Sequence, residues 1–261
     1  MKLSRCLPAA MLAVAAFALC GSVSAQTFPS KSIRIVVGFA PGGAVDIIGR
    51  ILAERLAANI RHPVIIDNRA GASGIIGADL VAKAAADGYT LFFTPSPHVI
   101  SPVVYANVPF DPIADFEPVS LVANLSYFVI ANPRLPANNL RELISLAKAS
   151  PGKLTYGTAG YGTVNHLAME LLKQVAGIDM RTVNYKGGGP AQNDVIAGHI
   201  DLMVASAAQA APFIIGGKVK ALAITADSRL AEMPNIPTAT ESGLLGHAAV
   251  RTAQRGPITP R

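Results

Sequence analysis

Three glycine-rich turns hold the residues of this chain that could do chemistry. The first runs Phe39-Ala40-Pro41-Gly42-Gly43-Ala44-Val45-Asp46, between the apolar run Ile33 to Gly38 and a stretch from Gly43 to Asn59 with apolar residues at helical spacing. A strand that turns through Pro-Gly-Gly into a helix leaves the first helical N–H groups unpaired. Those donors and the positive end of the helix dipole attract carboxylate or phosphate. The plainer alternative is that these glycines only permit a tight turn. The second turn, Gly157-Thr158-Ala159-Gly160-Tyr161-Gly162-Thr163, repeats the logic, with Thr163 or Asn165 opening the next helix. The third is Tyr185-Lys186-Gly187-Gly188-Gly189-Pro190. If the first two helix starts face one cleft, each can take one end of a carboxylate ligand.

Few side chains add to this. Asp46, in the first turn of its helix, compensates the dipole or serves as a counter-ion for an amino group, and the two roles can coexist. His98, in Thr94-Pro95-Ser96-Pro97-His98, follows a strand end and is either a solvated loop residue or a ligand contact. His166, beside Asn165, could orient a loop, whereas His199 has the setting of a turn residue and Lys186 that of a solvated loop lysine. No histidine pair has metal-ligand spacing near an acid, so neither a metal site nor a cofactor is expected. A Gly-x-Ser-x-Gly elbow, a Walker loop and His-Glu-x-x-His are all missing, and Gly71-Ala72-Ser73-Gly74-Ile75-Ile76-Gly77 has the wrong spacing for a dinucleotide fingerprint.

The elements that must position these turns alternate short β-branched runs with helical stretches, the pattern of an α/β protein with mainly parallel sheets. Strands are expected at Ile33–Val37, Val64–Asp67, Thr90–Thr94, Val119–Val122, Tyr127–Ala131, Leu154–Gly157, Arg181–Asn184, Asp201–Val204 and Ala221–Thr225. Helices are expected at Gly43–Ala58, Ser73–Ala85, Asn139–Lys148, Thr163–Val175, Ala191–Ala197 and Gln209–Ile215. A boundary near Leu121 to Tyr127 divides two α/β lobes whose loops would share a cleft, a natural small-molecule site.

Residues 1–25 carry Lys2 and Arg5, an apolar stretch from Leu7 to Cys20, and the small-residue site Val23-Ser24-Ala25. They read as a signal peptide cleaved after Ala25, which implies export to the periplasm. Both cysteines, Cys6 and Cys20, lie in that leader, so the body has no disulfide framework and no thiol nucleophile. The formal charge of +6 comes mostly from Lys2 and Arg5 in the leader and Arg251, Arg255 and Arg261 near the end. The body is nearly neutral and shows no basic stripe interleaved with aromatics, so no nucleic-acid partner is expected.

Several segments, in order, resemble the Bug-type periplasmic substrate-binding proteins of tripartite tricarboxylate transporters. They are Ile35-Val36-Val37-Gly38-Phe39-Ala40-Pro41-Gly42-Gly43 with Asp46, Asp67-Asn68-Arg69-Ala70-Gly71-Ala72 and Ala114-Asp115-Phe116-Glu117-Pro118-Val119. They continue with Tyr185-Lys186-Gly187, Ala197-Gly198-His199-Ile200-Asp201-Leu202-Met203 and Pro237-Thr238-Ala239-Thr240-Glu241-Ser242-Gly243-Leu244. The resemblance implies a two-lobe, type II periplasmic-binding-protein fold that closes on a small carboxylate or amino acid. It implies a monomer that hands its ligand to membrane transporter subunits and performs no catalysis. Carried onto this chain, the ligand loops are Gly42, Gly43 and Asp46 in the first lobe and Gly160, Gly162, Thr163 and Asn165 in the second, with Ser96 and His98 on a further cleft-lining loop. The implied division is lobe 1 over 26–124 with 223–244 returning to it, and lobe 2 over 125–222. Residues 245–261 contain no acid and do not follow the family pattern, so the first lobe is expected to be incomplete, its end altered by a frameshift. Two other readings compete with the transport receptor: a truncated or sensor-only receptor, and a hydrolase or isomerase using Asp46 or His98 as base.

Overall fold

The computed structural model describes residues 27–243. The signal peptide read over 1–25 and the tail read over 245–261 lie outside the described residues.

The first lobe is built on a parallel sheet of three strands, β1 (Ile33–Val37), β2 (Val64–Asn68) and β3 (Thr90–Phe93), in the order β2-β1-β3. β1 is apolar apart from Arg34, which pairs with Asp67 of β2, because it is the central strand and Ile33, Ile35, Val36 and Val37 are buried. Helix α1 (Ala44–Ile60) leaves its carboxyl end through the Pro-Gly-Gly turn and stops at Arg61, which takes the left-handed conformation at φ 54°. A 3-10 turn over Ala72–Gly74 leads into α2 (Ile75–Ala82), and α3 (Pro97–Val104) follows β3.

The second lobe carries a five-stranded sheet of β4 (Tyr127–Ala131), β5 (Thr155–Thr158), β6 (Arg181–Asn184), β7 (Leu202–Ser206) and β8 (Lys220–Ile224), ordered β6-β5-β7-β4-β8. Its helices are α4 (Leu140–Ala149), α5 (Val164–Ala176), α6 (Gly188–Ala197) and α7 (Ala207–Ile215). β5 pairs in parallel with β6 and β7, whereas β4, the strand that enters this lobe, runs antiparallel to β7 and β8. The fully buried large side chains concentrate here, including Tyr156, Leu140, Leu143, Met169 and Leu172 around β4, β5 and β7. Helix α4 shows how this is encoded. Asn139 accepts from the Glu142 amide at its start, and Leu140, Leu143 and Ala147 recur on the buried face.

Three expectations differ from the structure. Val119–Val122 forms no strand: Val119 is 81% and Leu121 58% exposed, and among the described residues no sheet edge offers the run a ladder. A helix, α3, stands where only a proline-rich loop was read. Pro97 occupies its first turn, where the missing N–H costs nothing, and Pro102 is tolerated within it. The described part of 223–244 stays with the second lobe rather than returning to the first. Ala223 and Ile224 finish β8, Thr238 bridges Ile224, and Ala239 is buried in the second-lobe core. The chain doubles back there because the Ile224 amide donates to Pro237 and the Ala239 amide to Ile224, at 2.9 and 2.8 Å.

Replacing Leu143 by Ala should lower stability by about 2–5 kcal/mol, because a fully buried leucine leaves a cavity in a well-packed core. Urea unfolding followed by far-UV circular dichroism measures it; a loss under 1 kcal/mol would contradict this packing.

Candidate functional site

The carboxyl ends of β1, β5, β6 and β7 each lead into a helix, and those helix starts converge between the lobes. They border an open cleft of about 500 Å³, counting its mouth. From the first lobe it is lined by Phe39, Gly43, Ala44 and Val45 at the start of α1, and by Pro95 and Pro97 at the start of α3. The second lobe supplies Thr163, Val164 and Asn165 of α5, Gly188 of α6, and Ser206 and Gln209 of α7, with Leu125, Tyr127 and Ala159.

The state of the helix caps decides which donors are free. Ser206 accepts from the Gln209 amide and Thr163 from the His166 amide, so α7 and α5 are partly satisfied by their own side chains. Helices α1 and α6 begin at Gly43 and Gly187 with no side-chain cap. These two uncapped ends belong to opposite lobes and nearly touch. A Cβ placed on Gly43 would lie 3.3 Å from the Gly188 amide nitrogen. Glycine at both positions is what lets the backbones approach so closely.

Not every residue expected at the site reaches it. Gly43, Thr163 and Asn165 line the cleft. The Gly42 amide donates instead to Asp46 Oδ2 at 3.0 Å. The Gly160 amide donates to Thr158 Oγ1 and the Gly162 amide to His166 Nδ1, both at 3.3 Å. Gly160 and Gly162 press against Ser73 and Val104 of the first lobe and so form part of the seam between lobes. Ser96 precedes α3, where its carbonyl accepts from the Val99 amide; its neighbours Pro95 and Pro97 line the cleft in its stead.

Asp46 and His98, the two side chains considered as bases, both turn into the first lobe. Asp46 is 4% exposed, and its oxygens accept from Gly42, from Asn68 Nδ2 at 3.0 Å and from the Arg50 guanidinium at 2.9–3.0 Å. Burial alone would raise its pKa. The hydrogen bonds from Arg50, Gly42 and Asn68, with the Arg50 charge, outweigh burial and hold the carboxyl below the usual aspartate value. His98 sits among aromatic rings, stacked on Phe110 at 5.6 Å and edge-on to Phe116 at 4.6 Å, with Nε2 2.9 Å from the Pro112 carbonyl. Burial pushes its pKa down against the weaker opposite pull of that carbonyl, so the ring is neutral at pH 7.

The cleft residues that sequence reasoning missed are Phe39, Ala44, Val45, Pro95, Pro97, Leu125, Tyr127, Ala159, Val164, Gly188, Ser206 and Gln209. Most are apolar and carry no chemical signature. Gly188 lay in the third glycine turn and Ser206 at a helix N-cap, and those two signals could have found them. Among the described residues no group of three or more His, Cys, Asp or Glu could hold a metal ion, and no helix is long and apolar enough to cross a membrane.

Two outcomes follow. Asp46→Ala should cost about 1–3 kcal/mol at pH 7, since it strands several donors; the share due to half-exposed Arg50 is screened by solvent. Because the folded pKa is lowered, the stabilisation is present above the unfolded pKa and fades as pH falls through the folded one. Chemical unfolding of both proteins at pH 7 and near pH 3 should therefore show the gap closing. For His98, the lowered folded pKa means that the unfolded state binds the proton first, so stability falls as pH drops below about 6.5. His98→Phe should flatten that slope, and an unchanged pH profile would refute the assignment.

Comparison with known proteins gives the family and the fold. The model of the tripartite tricarboxylate transporter family receptors matches residues 48–259, a span that overlaps the 245–261 segment set apart on sequence. An uncharacterised-family protein from the tcbD–tcbE intergenic region of Pseudomonas sp. strain P51 is 40% identical over 222 residues, covering 85% of this chain and 66% of its own length. This chain thus spans about two thirds of that relative. The structure of periplasmic binding protein BugD superposes with a TM-score of 0.81 at 35% identity, covering 84% of this chain and 74% of BugD. The R. palustris protein Rpa4515, solved with adipate, gives 0.81 at 34% identity over 84% of this chain and 74% of its own. The α/β architecture is that of the periplasmic binding proteins, and the chain belongs to the tripartite tricarboxylate transporter family of receptors.

Proposed function

We propose that this protein is a periplasmic receptor that closes its two lobes on a small carboxylate and presents it to the membrane subunits of a tripartite tricarboxylate-type transporter. The observation that carries this reading is the meeting of two uncapped helix N-termini from opposite lobes, α1 at Gly43 and α6 at Gly188. Two positive dipole ends so close repel each other, and an anion between them reverses the sign of that interaction. The first-turn amides of α1, with those of Val164 and Asn165 in α5, supply the remaining donors. Three or four hydrogen bonds to a charged oxygen, at about 1.5–3 kcal/mol each, are enough for a micromolar complex near −8 kcal/mol. The adipate held by a relative of the same fold supports a carboxylate of this size.

No step of this reading needs a catalyst. The bases considered for a hydrolase or isomerase, Asp46 and His98, are bonded within the first lobe. Of the expected ligand residues, Gly43, Thr163 and Asn165 make the contact surface, while Gly42, Gly160 and Gly162 shape the loops that carry it.

Isothermal titration with adipate and other small carboxylates tests the receptor role. At least one should bind and raise the melting temperature, by about 2.7 kcal/mol of stabilisation at 100 times Kd. Gly43→Val, whose branched side chain would push against Gly188, should weaken binding at least tenfold while the melting transition stays cooperative. Full affinity in that variant would place the ligand elsewhere. Uptake in cells supplied with the transporter subunits separates transport from sensing.

A further inference from the structure

We propose that the peptide unit joining Tyr161 to Gly162 is an acid-released latch between the two lobes, with His166 as its trigger. The latch acts on the lobes themselves, with or without a ligand, and so stands apart from the receptor reading above.

Among the described residues the chain passes between the lobes once. Phe116 packs in the first lobe and Leu125 against the core of the second, and every residue from 117 to 124 is exposed. Closure therefore depends on seam contacts rather than on a packed hinge. One of these contacts runs through a single peptide plane. The Tyr161 carbonyl accepts from Ser73 Oγ of the first lobe at 2.8 Å, and Ser73 is held in turn by the Tyr105 hydroxyl at 2.7 Å. The Gly162 amide, on the opposite edge of that plane, donates to His166 Nδ1 at 3.3 Å. The C=O and N–H of a trans peptide point in opposite directions and turn together. Whatever fixes the amide also aims the carbonyl.

Fixing the amide needs a neutral ring. Nδ1 accepts, so the ring proton sits on Nε2. A second proton would go to Nδ1 and face the Gly162 N–H, donor against donor. The peptide unit then turns away, and its carbonyl leaves Ser73. Gly162 stands at φ 74° and, being glycine, can take either sign of φ, so the turn costs little there. The rest of the loop stays anchored, because the Gly160 carbonyl accepts from Thr158 Oγ1 at 3.0 Å and from Thr163 Oγ1 at 2.6 Å. Val104 of the first lobe lies against Gly162, where an added Cβ would come within 2.9 Å of it. Movement of this unit therefore disturbs apolar packing across the seam as well.

The groups around His166 set when this happens. On its own helix Glu170 favours the protonated ring and Lys173 disfavours it, and these two bond each other at 3.0 Å. Tyr156 of β5 donates to Glu170. From the loop, the Tyr161 ring stands edge-on to the imidazole at 5.1 Å. From the first lobe, the titratable group at this contact is the Tyr105 hydroxyl on Ser73. Burial is the largest influence and holds the ring below the ordinary histidine value of about 6.5, so at pH 7 it is neutral and the latch is shut. Once the peptide unit has turned away, Nδ1 is free to take a proton. Acid therefore favours the open form. Each unit by which closure lowers the pKa shifts the closed-to-open ratio about tenfold at low pH.

Residues 26–261 contain no cysteine, so two introduced ones, Arg55→Cys in the first lobe and Lys148→Cys in the second, can carry spin labels. Double electron–electron resonance reads the interlobe distance from about pH 8 to about pH 5, while circular dichroism follows the fold. The longer-distance population should grow at least about threefold relative to the shorter one as pH falls below about 6.5. In His166→Asn, whose Oδ1 stands near the place of Nδ1 and does not titrate, the distance should be independent of pH. Ser73→Ala should show the longer distance already at pH 8. His98→Phe, which removes the half-buried histidine of the first lobe, should leave the response intact. Wild-type distances unchanged over this range, or loss of the folded state before the lobes part, overturn the latch. So does a response that survives in His166→Asn or disappears in His98→Phe, or a Ser73→Ala chain as closed at pH 8 as the wild type. None of these readings uses a ligand, so the carboxylate receptor reading stands or falls by its own titration.

Discussion

The close approach of two uncapped helix ends, α1 from one lobe and α6 from the other, is the constraint on which the rest of this structure depends. Backbone amides at a helix start have a fixed direction and partial positive charge, and they need an acceptor. A side chain supplies it for α4 (Asn139), α5 (Thr163) and α7 (Ser206), but not for α2 at Gly74 or α3 at Ser96. Nor does one at Gly43 and Gly187, and these two uncapped starts face each other across the lobes. On the receptor reading proposed above, these unsatisfied donors are what an anion would meet, and the absence of Cβ atoms at Gly43 and Gly188 brings the two ends close together.

That approach needs the lobes to meet closely along a seam, and the seam is made mostly of backbone. The Ala40 amide donates to the Lys186 carbonyl at 2.9 Å, tying the first glycine turn to the third. On the other side Ser73 Oγ donates to the Tyr161 carbonyl at 2.8 Å, while the Tyr105 hydroxyl, 2.7 Å away, donates to Ser73. Gly160 and Gly162 lie against Ser73 and Val104 with no room for a side chain. Each glycine turn thus has two duties, in its own lobe and across the seam. On the proposed receptor reading, a seam of this kind suits lobes that part to release a ligand. The few hydrogen bonds that join them are of about the strength of those a ligand would add.

Charge is handled by turning it away from the cleft. Asp46 lies in the first turn of α1, beside the cleft, yet its carboxylate is spent on fixing the Pro-Gly-Gly turn and on Asn68 and Arg50. It braces the turn before α1 and leaves the first amides of that helix free of its own carboxylate. His98 stabilises the small aromatic cluster of the first lobe with Phe92, Phe110 and Phe116. The first lobe has fewer fully buried side chains than the second, so such local clusters carry a larger share of its cohesion.

The amino-acid sequence by itself determined most of the elements, the two-lobe α/β organisation, the glycine turns and the family. These are local properties: hydrophobic period, cap residues and turn chemistry act within about four residues of chain. It put Gly43, Thr163 and Asn165 at helix starts, and in the structure these three line the cleft. Only the tertiary structure decided which amides stay free, that Asp46 and His98 point inward, and that Val119–Val122 finds no partner strand. It also decided that Phe39, Leu125, Tyr127, Ser206 and Gln209 share one wall although they lie far apart in the chain. The reason is that direction and company of a side chain depend on contacts such as Ser73 with Tyr161, or Gly188 with Gln209, between residues that no local pattern relates.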